Sequence, residues 1–93
     1  MIIAVGYQYV TDRDLSEVRP AHRAFLRELH EAGSLLTSGP LPASNGALIV
    51  MEAASPEAAL ELLEEDPFLV EGCIAARTAE EWQPVLGVLA RPA

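Results

Sequence analysis

One short segment, Ala47 to Glu52, constrains the fold of this 93-residue chain more than any other. It follows the turn pair Asn45-Gly46 and is rich in β-prone residues. Its apolar residues occupy both alternating sets of positions, so the predicted strand has two apolar faces. A strand of this kind needs cover on both sides. The segment therefore predicts a sheet with helices on one face and further apolar material on the other.

Strand and helix patterns alternate along the rest of the chain. Leu35–Ser38 is a short strand that Gly39-Pro40 ends, and a loop over Pro40–Gly46 joins it to the segment above as a hairpin. The remaining patterns are a strand over Ile2–Tyr9, a helix from Pro20 to a cap at Gly33, a helix from Ser55-Pro56-Glu57 to about Glu65, a turn over Asp66–Glu71, and an extended segment from Ile74 to about Glu80.

The resulting order, β-α-β-β-α-β, predicts a ferredoxin-like α+β fold in which an antiparallel sheet carries both helices on one face. We expect residues 1–93 to form a single domain. Because the chain leaves no residues to cover the second face of the sheet, we expect a homodimer whose two sheets pack face to face as a dimeric α+β barrel.

Charge and composition exclude several classes of partner and setting. Fourteen acidic residues stand against six arginines and no lysine, and a net charge of −8 opposes binding to nucleic acid or to an anionic membrane. No apolar run reaches the ~18 residues of a membrane span, and the N-terminal run does not resemble a signal peptide. A single cysteine, Cys73, cannot form an intramolecular disulfide, and two histidines with one cysteine do not suit a structural zinc site. We expect a soluble cytoplasmic protein without metal.

Two residues are the main candidates for chemistry. His22 lies on the apolar stripe of the first helix, so its ring faces the sheet, either as a buried histidine bound to a carbonyl or as a general acid or base. Asp66 precedes Pro67 at a chain reversal, where it either caps the turn or orients the imidazole of His22. Both roles of Asp66 are compatible, because a carboxylate offers about four lone pairs.

Three stretches give the chain a family resemblance: Arg19-Pro20-Ala21-His22, the run LHEAGSLLTSGP that ends at Pro40, and DPFLVEG from Asp66 to Gly72. In this order and at these intervals they resemble the YciI-like (YCII-related) family over nearly the whole chain. The resemblance implies a dimeric ferredoxin-like α+β barrel with an active site built on His22 and Asp66. It also implies lyase-like elimination, such as dehydrochlorination of a hydroxylated aromatic, which needs no cofactor.

Further candidate site residues come from these stretches and from the first strand. Arg19 could bind an anionic or phenolate oxygen or could be a solvated arginine, and Ser38, Gly39 and Pro40 could contact a substrate or only end a strand. Tyr7 could line the pocket, although large aromatic residues in a small chain more often belong to the core or an interface.

Two hypotheses from different classes rank above a third, an isomerase or cofactor-free monooxygenase acting on aromatic metabolites, which rests on fold analogy alone. The first is a small cofactor-independent enzyme that acts on a small metabolite with His22 and Asp66 as its dyad. The second is a non-catalytic dimeric module that binds a small molecule or a protein, with the same pair as a buried hydrogen bond.

Overall fold

The computed structural model describes residues 1–91 and shows an α+β fold. Its elements are β1 (Ile2–Tyr9), α1 (Arg19–Glu31), β2 (Leu35–Leu41), β3 (Gly46–Glu52), α2 (Pro56–Leu62), α3 (Pro67–Val70) and β4 (Ile74–Trp82), with a 3-10 turn over Pro42–Ser44. The predicted β-α-β-β-α-β order is confirmed, with α3 as an additional single turn. None of these helices is both long and apolar enough to cross a membrane.

The four strands form one antiparallel sheet in the order β2-β3-β1-β4. The central pair aligns Val5 with Ile49, and both side chains are fully buried on the helix-covered face. Ala59 of α2 and Leu63 just beyond it pack into the same cluster, with Phe25 of α1 at its margin. The alternation of the strand residues thus directs one set into a core beneath the helices.

The first helix ends where the sequence predicts. Gly33 adopts φ +88°, a left-handed conformation that glycine accepts without a steric penalty. The second helix is shorter than predicted, because α2 ends at Leu62 rather than near Glu65. The amides of Leu63 and Glu64 there bond to carbonyls three residues back, so the helix tightens into turns before Asp66.

The prediction for β2 is wrong at its end. The strand does not stop at Ser38 but continues through Gly39 and Pro40 to Leu41, with Pro40 opposite Ala47. β2 lies at the edge of the sheet and therefore has a neighbouring strand on one side only. A proline is tolerated in such a strand, because its missing N–H costs little where no partner strand is present. Only the turn over Pro42–Ser44 and Asn45, at φ 55°, then separates the two hairpin strands.

The second face of the sheet is covered only in part within the described residues. Ile2, on this face, is buried beside Trp82, and these two residues line a recess of about 420 Å³ together with Pro84, Val85 and Arg91. The expectation that no residues remain to cover this face is therefore wrong at this end, where the segment after β4 lies. Leu48 and Leu41 farther along remain 40% and 43% exposed.

Candidate active site

Asp66 is a buried carboxylate that hydrogen bonds hold in place. It is fully buried, and it stands directly before α3, where its Oδ1 accepts a hydrogen bond from the Phe68 amide at 3.0 Å. Pro67 occupies the first helical position, which suits its fixed φ and its lack of an N–H. The sequence Asp-Pro-Phe therefore folds into a capped turn that fixes the carboxylate by its own backbone.

His22 meets this carboxylate from α1. Its Nδ1 lies 2.8 Å from Oδ1 and 3.0 Å from Oδ2 of Asp66, and its side chain is almost completely buried. The imidazole also stacks on the Phe68 ring, with centroids 3.9 Å apart and planes 11° from parallel. The short helix α3 and the residue that caps its start thus supply both the ring that supports the face of the imidazole and the carboxylate that contacts its edge.

The second ring nitrogen of His22 is free to meet a ligand. A carboxylate accepts hydrogen bonds only, so Nδ1 is the donor in the pair with Asp66 and Nε2 carries the lone pair in the neutral ring. No hydrogen bond joins Nε2 to another residue of the described chain, yet none of the fully buried side-chain nitrogen and oxygen atoms there lacks a partner. Nε2 therefore retains contact with open space.

His22 also lines a cavity of about 240 Å³, which we call the His22 cavity. It lies between α1, β2 and the ends of β1 and β3. Its walls combine charged, polar and apolar side chains: Tyr9, Arg19, His22, Arg23, Leu26, Ser38, Gly39, Pro40, Ala47 and Ile49. Arg19, Ser38, Gly39 and Pro40, which the sequence singles out, are thus brought together with His22 around one cavity.

Tyr7 has a different place. Its side chain is 3% exposed and does not line the His22 cavity; its hydroxyl donates to Asp66 Oδ2 at 2.8 Å. Burial, and next the neighbouring Asp66 carboxylate, raise the pKa of the Tyr7 phenol far above its ordinary value of 10.0. The hydroxyl therefore stays protonated and acts as a permanent donor to Asp66, which gives the carboxylate three donors from three parts of the chain.

Three residues of the site escape sequence reasoning. Tyr9, two residues after Tyr7 on the same strand face, lines the His22 cavity and packs edge-on against Phe68 with centroids 5.5 Å apart. Phe68 and Arg23 are the others. The signal for Phe68 is its position two residues after a capping aspartate, and the signal for Arg23 is its spacing of four residues from Arg19 on one helix.

The described residues contain no group of three or more histidine, cysteine or carboxylate side chains arranged to hold a metal ion. His30, the other histidine, points its Nδ1 at the Leu35 carbonyl at 2.8 Å and is not joined to a carboxylate. Cys73 is a buried free thiol packed beside Leu15 and Phe68. The pair formed by His22 and Asp66 is therefore the one arrangement in residues 1–91 with acid–base geometry.

Comparison with known proteins finds a family match. The model of the YCII-related domain matches residues 1–83. This chain belongs to the YCII-related family. Protein YciI of Escherichia coli O6:H1 and protein YciI of Shigella flexneri are each 43% identical to it in an alignment 65 residues long, and the match covers 59% of this chain. The matched part spans 66% of the length of each of these YCII relatives, slightly under two thirds.

Two solved structures share the fold of this chain. The 5-chloro-2-hydroxyhydroquinone dehydrochlorinase of Burkholderia phenoliruptrix, solved in complex with 2,5-dihydroxybenzoquinone, superposes with a TM-score of 0.75 and 23% identity, over 89% of this chain and 94% of that one. Protein YJCS superposes with a TM-score of 0.51 and 12% identity, over 89% of this chain and all of that one. At these identities the likeness concerns the fold alone, which is that of a ferredoxin-like α+β protein.

Proposed function

We propose that this protein is a small cofactor-independent enzyme that performs lyase-like elimination on a small metabolite, with a hydroxylated aromatic as the favoured substrate type. One observation carries the proposal: His22 directs Nδ1 to a buried carboxylate, leaves Nε2 without a partner in the described chain, and lines a cavity. A base held in this way keeps one tautomer and one orientation, as general acid–base catalysis requires. The chemistry of the dehydrochlorinase with the same fold supports the choice of reaction class.

In the proposed reaction, Nε2 of His22 removes a proton from the substrate, the electron pair of that bond forms a new double bond in the substrate, and the leaving group departs with the electrons of its own bond. The imidazolium that forms donates through Nδ1 to Asp66, whose negative charge stabilises it. Tyr7 holds the second carboxylate oxygen and is a positioning residue in this scheme. Arg19, Ser38, Gly39 and Pro40 bind the substrate from the cavity wall, and Tyr9 takes the wall position that the sequence suggested for Tyr7.

The test is turnover with 5-chloro-2-hydroxyhydroquinone and related chlorinated hydroxyquinols, followed by chloride release. We expect His22→Gln to lower kcat by about 10²–10⁴-fold, the usual contribution of a general acid or base. His30→Gln is the matched control, since His30 bonds to a backbone carbonyl outside the His22 cavity, and its rate should equal that of the wild type. Wild-type turnover by His22→Gln would overturn the proposal. Ligand binding without turnover across the panel would instead favour the non-catalytic binding module.

We also infer that the chain acts as a homodimer in the cytoplasm. The open part of the sheet carries Leu48 and Leu41, and the segment after β4 exposes Val85, Leu86 and Val88 almost fully. Apolar side chains exposed to this extent favour a second copy as cover. Sedimentation should give twice the 10.0 kDa chain mass. Leu48→Glu should yield monomers, whereas Leu62→Glu, at an equally exposed leucine of α2, should leave the dimer intact.

A further inference from the structure

The arginines of this acidic protein are concentrated on one helix. Three of the six, Arg19, Arg23 and Arg27, follow one another on α1 at intervals of four residues. Side chains at this spacing share one helical face, which here borders cavities shared with β2. Within residues 1–91 no carboxylate oxygen lies within 4.0 Å of any of the three, whereas the arginine pairs recorded there join Arg77 to Glu64 and Arg91 to Glu52.

This placement is unfavourable for α1 itself. Like charges four residues apart repel each other on a helix. Arg19 is the first residue of α1, where the positive end of the helix dipole disfavours a cation, and the first turn contains no acidic residue to offset it. Two rules of helix design are thus broken at the point where α1 carries His22. Conflicts between local preference and the observed sequence are typical of functional sites.

Only two of the three arginines border the His22 cavity. Arg19 and Arg23 lie on its wall with His22 and Tyr9, while Arg27 lines a neighbouring recess with His30 and Leu36. The phenol of Tyr9 senses both wall arginines: burial raises its pKa, and the charges of Arg19 and then Arg23 act in the opposite direction. A positive field from two guanidinium groups and the start of α1 therefore acts on the space next to His22.

The rest of the wall limits what this field can attract. Leu26, Pro40 and Ile49 are apolar, so a ligand with one charged end and an apolar body fits better than a polyanion. A volume of about 240 Å³ is equivalent to about eight water molecules at ~30 Å³ each. That space holds one ring with a few substituents.

We propose that Arg19 and Arg23 together bind the carboxylate group of a small planar monocarboxylate, whose ring lies against Leu26, Pro40 and Ile49 beside His22. Arginine suits this role because its planar fork of N–H donors matches the two oxygens of a carboxylate. Arg23 is then a specificity-determining residue. The ligand supplies the carboxylate partner that Arg19 and Arg23 lack within the described chain. The position of the reacting atom at His22 rests on the proposed function, whereas the binding of the carboxylate does not.

Benzoate and its neutral counterpart benzamide test the inference by titration calorimetry and by the NMR shifts of the His22 ring. The wild type should bind benzoate at millimolar concentrations and benzamide at least about tenfold more weakly, since the amide lacks the charge. Arg23→Gln should weaken benzoate by about tenfold or more and leave benzamide unchanged. Arg27→Gln is the matched control, with the same charge loss one turn farther along α1 and outside the cavity, and should bind benzoate as the wild type does.

Three results would overturn the inference: no benzoate binding at millimolar concentrations, equal affinity for benzoate and benzamide, or equal loss of affinity in Arg23→Gln and Arg27→Gln. Failure of the proposed function looks different. If benzoate binding depends on Arg23 while His22→Gln keeps wild-type chloride release, the carboxylate site stands and the catalytic role of His22 falls. If His22→Gln loses turnover while Arg23→Gln binds benzoate normally, the catalytic role of His22 stands and the carboxylate site falls.

Discussion

Two carboxylates, Asp66 and Glu52, each join several partners at opposite ends of β1. Asp66 accepts from Tyr7 near the end of the strand, whereas Glu52 pairs with Ile2 at its start and meets the N-terminal ammonium at 3.0 Å and the Arg91 guanidinium. Asp66 is fully buried, while the side chain of Glu52 is 35% exposed. The two groups use similar hydrogen bonds in different surroundings.

The difference teaches which of the two networks can support a site. Water readily replaces the partners of Glu52. The surface network therefore contributes little to the free energy of unfolding and does little to fix the orientation of the carboxylate. Asp66 is buried, so water cannot replace a lost hydrogen-bond donor. Each of its donors comes from a rigid element: β1, α1 and the start of α3. Burial therefore makes the same chemistry both costly to disrupt and exact in orientation.

The largest expected effect follows from removal of the buried carboxylate. Asp66→Ala leaves the Tyr7 hydroxyl, the His22 Nδ1 and the Phe68 amide without their acceptor, and we expect a loss of about 3–5 kcal/mol in the free energy of unfolding, as for other broken buried pairs. Urea denaturation measures it. Glu65→Ala, at the exposed neighbouring acid, should change stability by less than about 0.5 kcal/mol. Equal stability of the two variants would show that the buried network is not stabilising.

Removal of a single donor should cost less. Tyr7→Phe deletes the hydroxyl that donates to Asp66 Oδ2 but keeps the ring in the core, and we expect a loss of about 1.5–3 kcal/mol, the range for hydrogen bonds to charged groups. Tyr9→Phe is the control, since its hydroxyl bonds to no other residue of the described chain. Its unfolding free energy should stay within about 0.5 kcal/mol of the wild type. A Tyr7→Phe variant as stable as Tyr9→Phe would contradict the assigned contact.

Sequence reasoning reached His22 and Asp66 because each sits in a local pattern with a physical meaning. The imidazole interrupts an apolar helical stripe, and the carboxylate precedes a proline at a helix start. Their meeting across 44 residues is a tertiary fact, and the family resemblance suggested it before the geometry did. The order of elements was predictable for the same reason, since strand alternation, caps and turn residues are all local signals.

The features that sequence reasoning missed are those that depend on where a residue lies within the fold. Strand alternation puts Tyr7 and Tyr9 on one face of β1, but it does not say that the first lies under Asp66 and the second at the cavity. In the sequence alone, Pro40 indicates the end of a strand. Only the place of β2 at the edge of the sheet shows that the strand can continue through this proline. Edge position, depth in the core and partner across the sheet are set by long-range packing, which periodicity alone does not encode.

The two networks should also fail at opposite ends of the pH scale, and the buried one should fail in alkali. The pKa of Tyr7 is raised in the folded protein, so above pH 10 the unfolded chain releases this proton while the folded chain keeps it. Stability then falls as pH rises, by about 1.4 kcal/mol per pH unit for one proton. Urea titrations above pH 10 should give a wild-type slope steeper than that of Tyr7→Phe. Parallel curves for the two proteins would contradict the buried phenol.

The surface network should fail in acid, with the smallest effect of the series. The N-terminal ammonium and the Arg91 guanidinium hold the pKa of Glu52 below its ordinary value of 4.5. Its contribution is therefore complete above the unfolded value and is lost as pH falls through the folded one. Because Glu52 is partly exposed, we expect less than about 1 kcal/mol at neutral pH. Glu52→Gln should lower stability by that amount at pH 7 and approach the wild type as pH falls below 4.5, whereas Glu61→Gln, at an exposed α2 acid without an ion pair in residues 1–91, should follow the wild type throughout. If Glu52→Gln lost as much unfolding free energy as Tyr7→Phe, solvent exposure would not explain why one network stabilises the fold more than the other. The contrast between the two networks would then rest on their geometry alone.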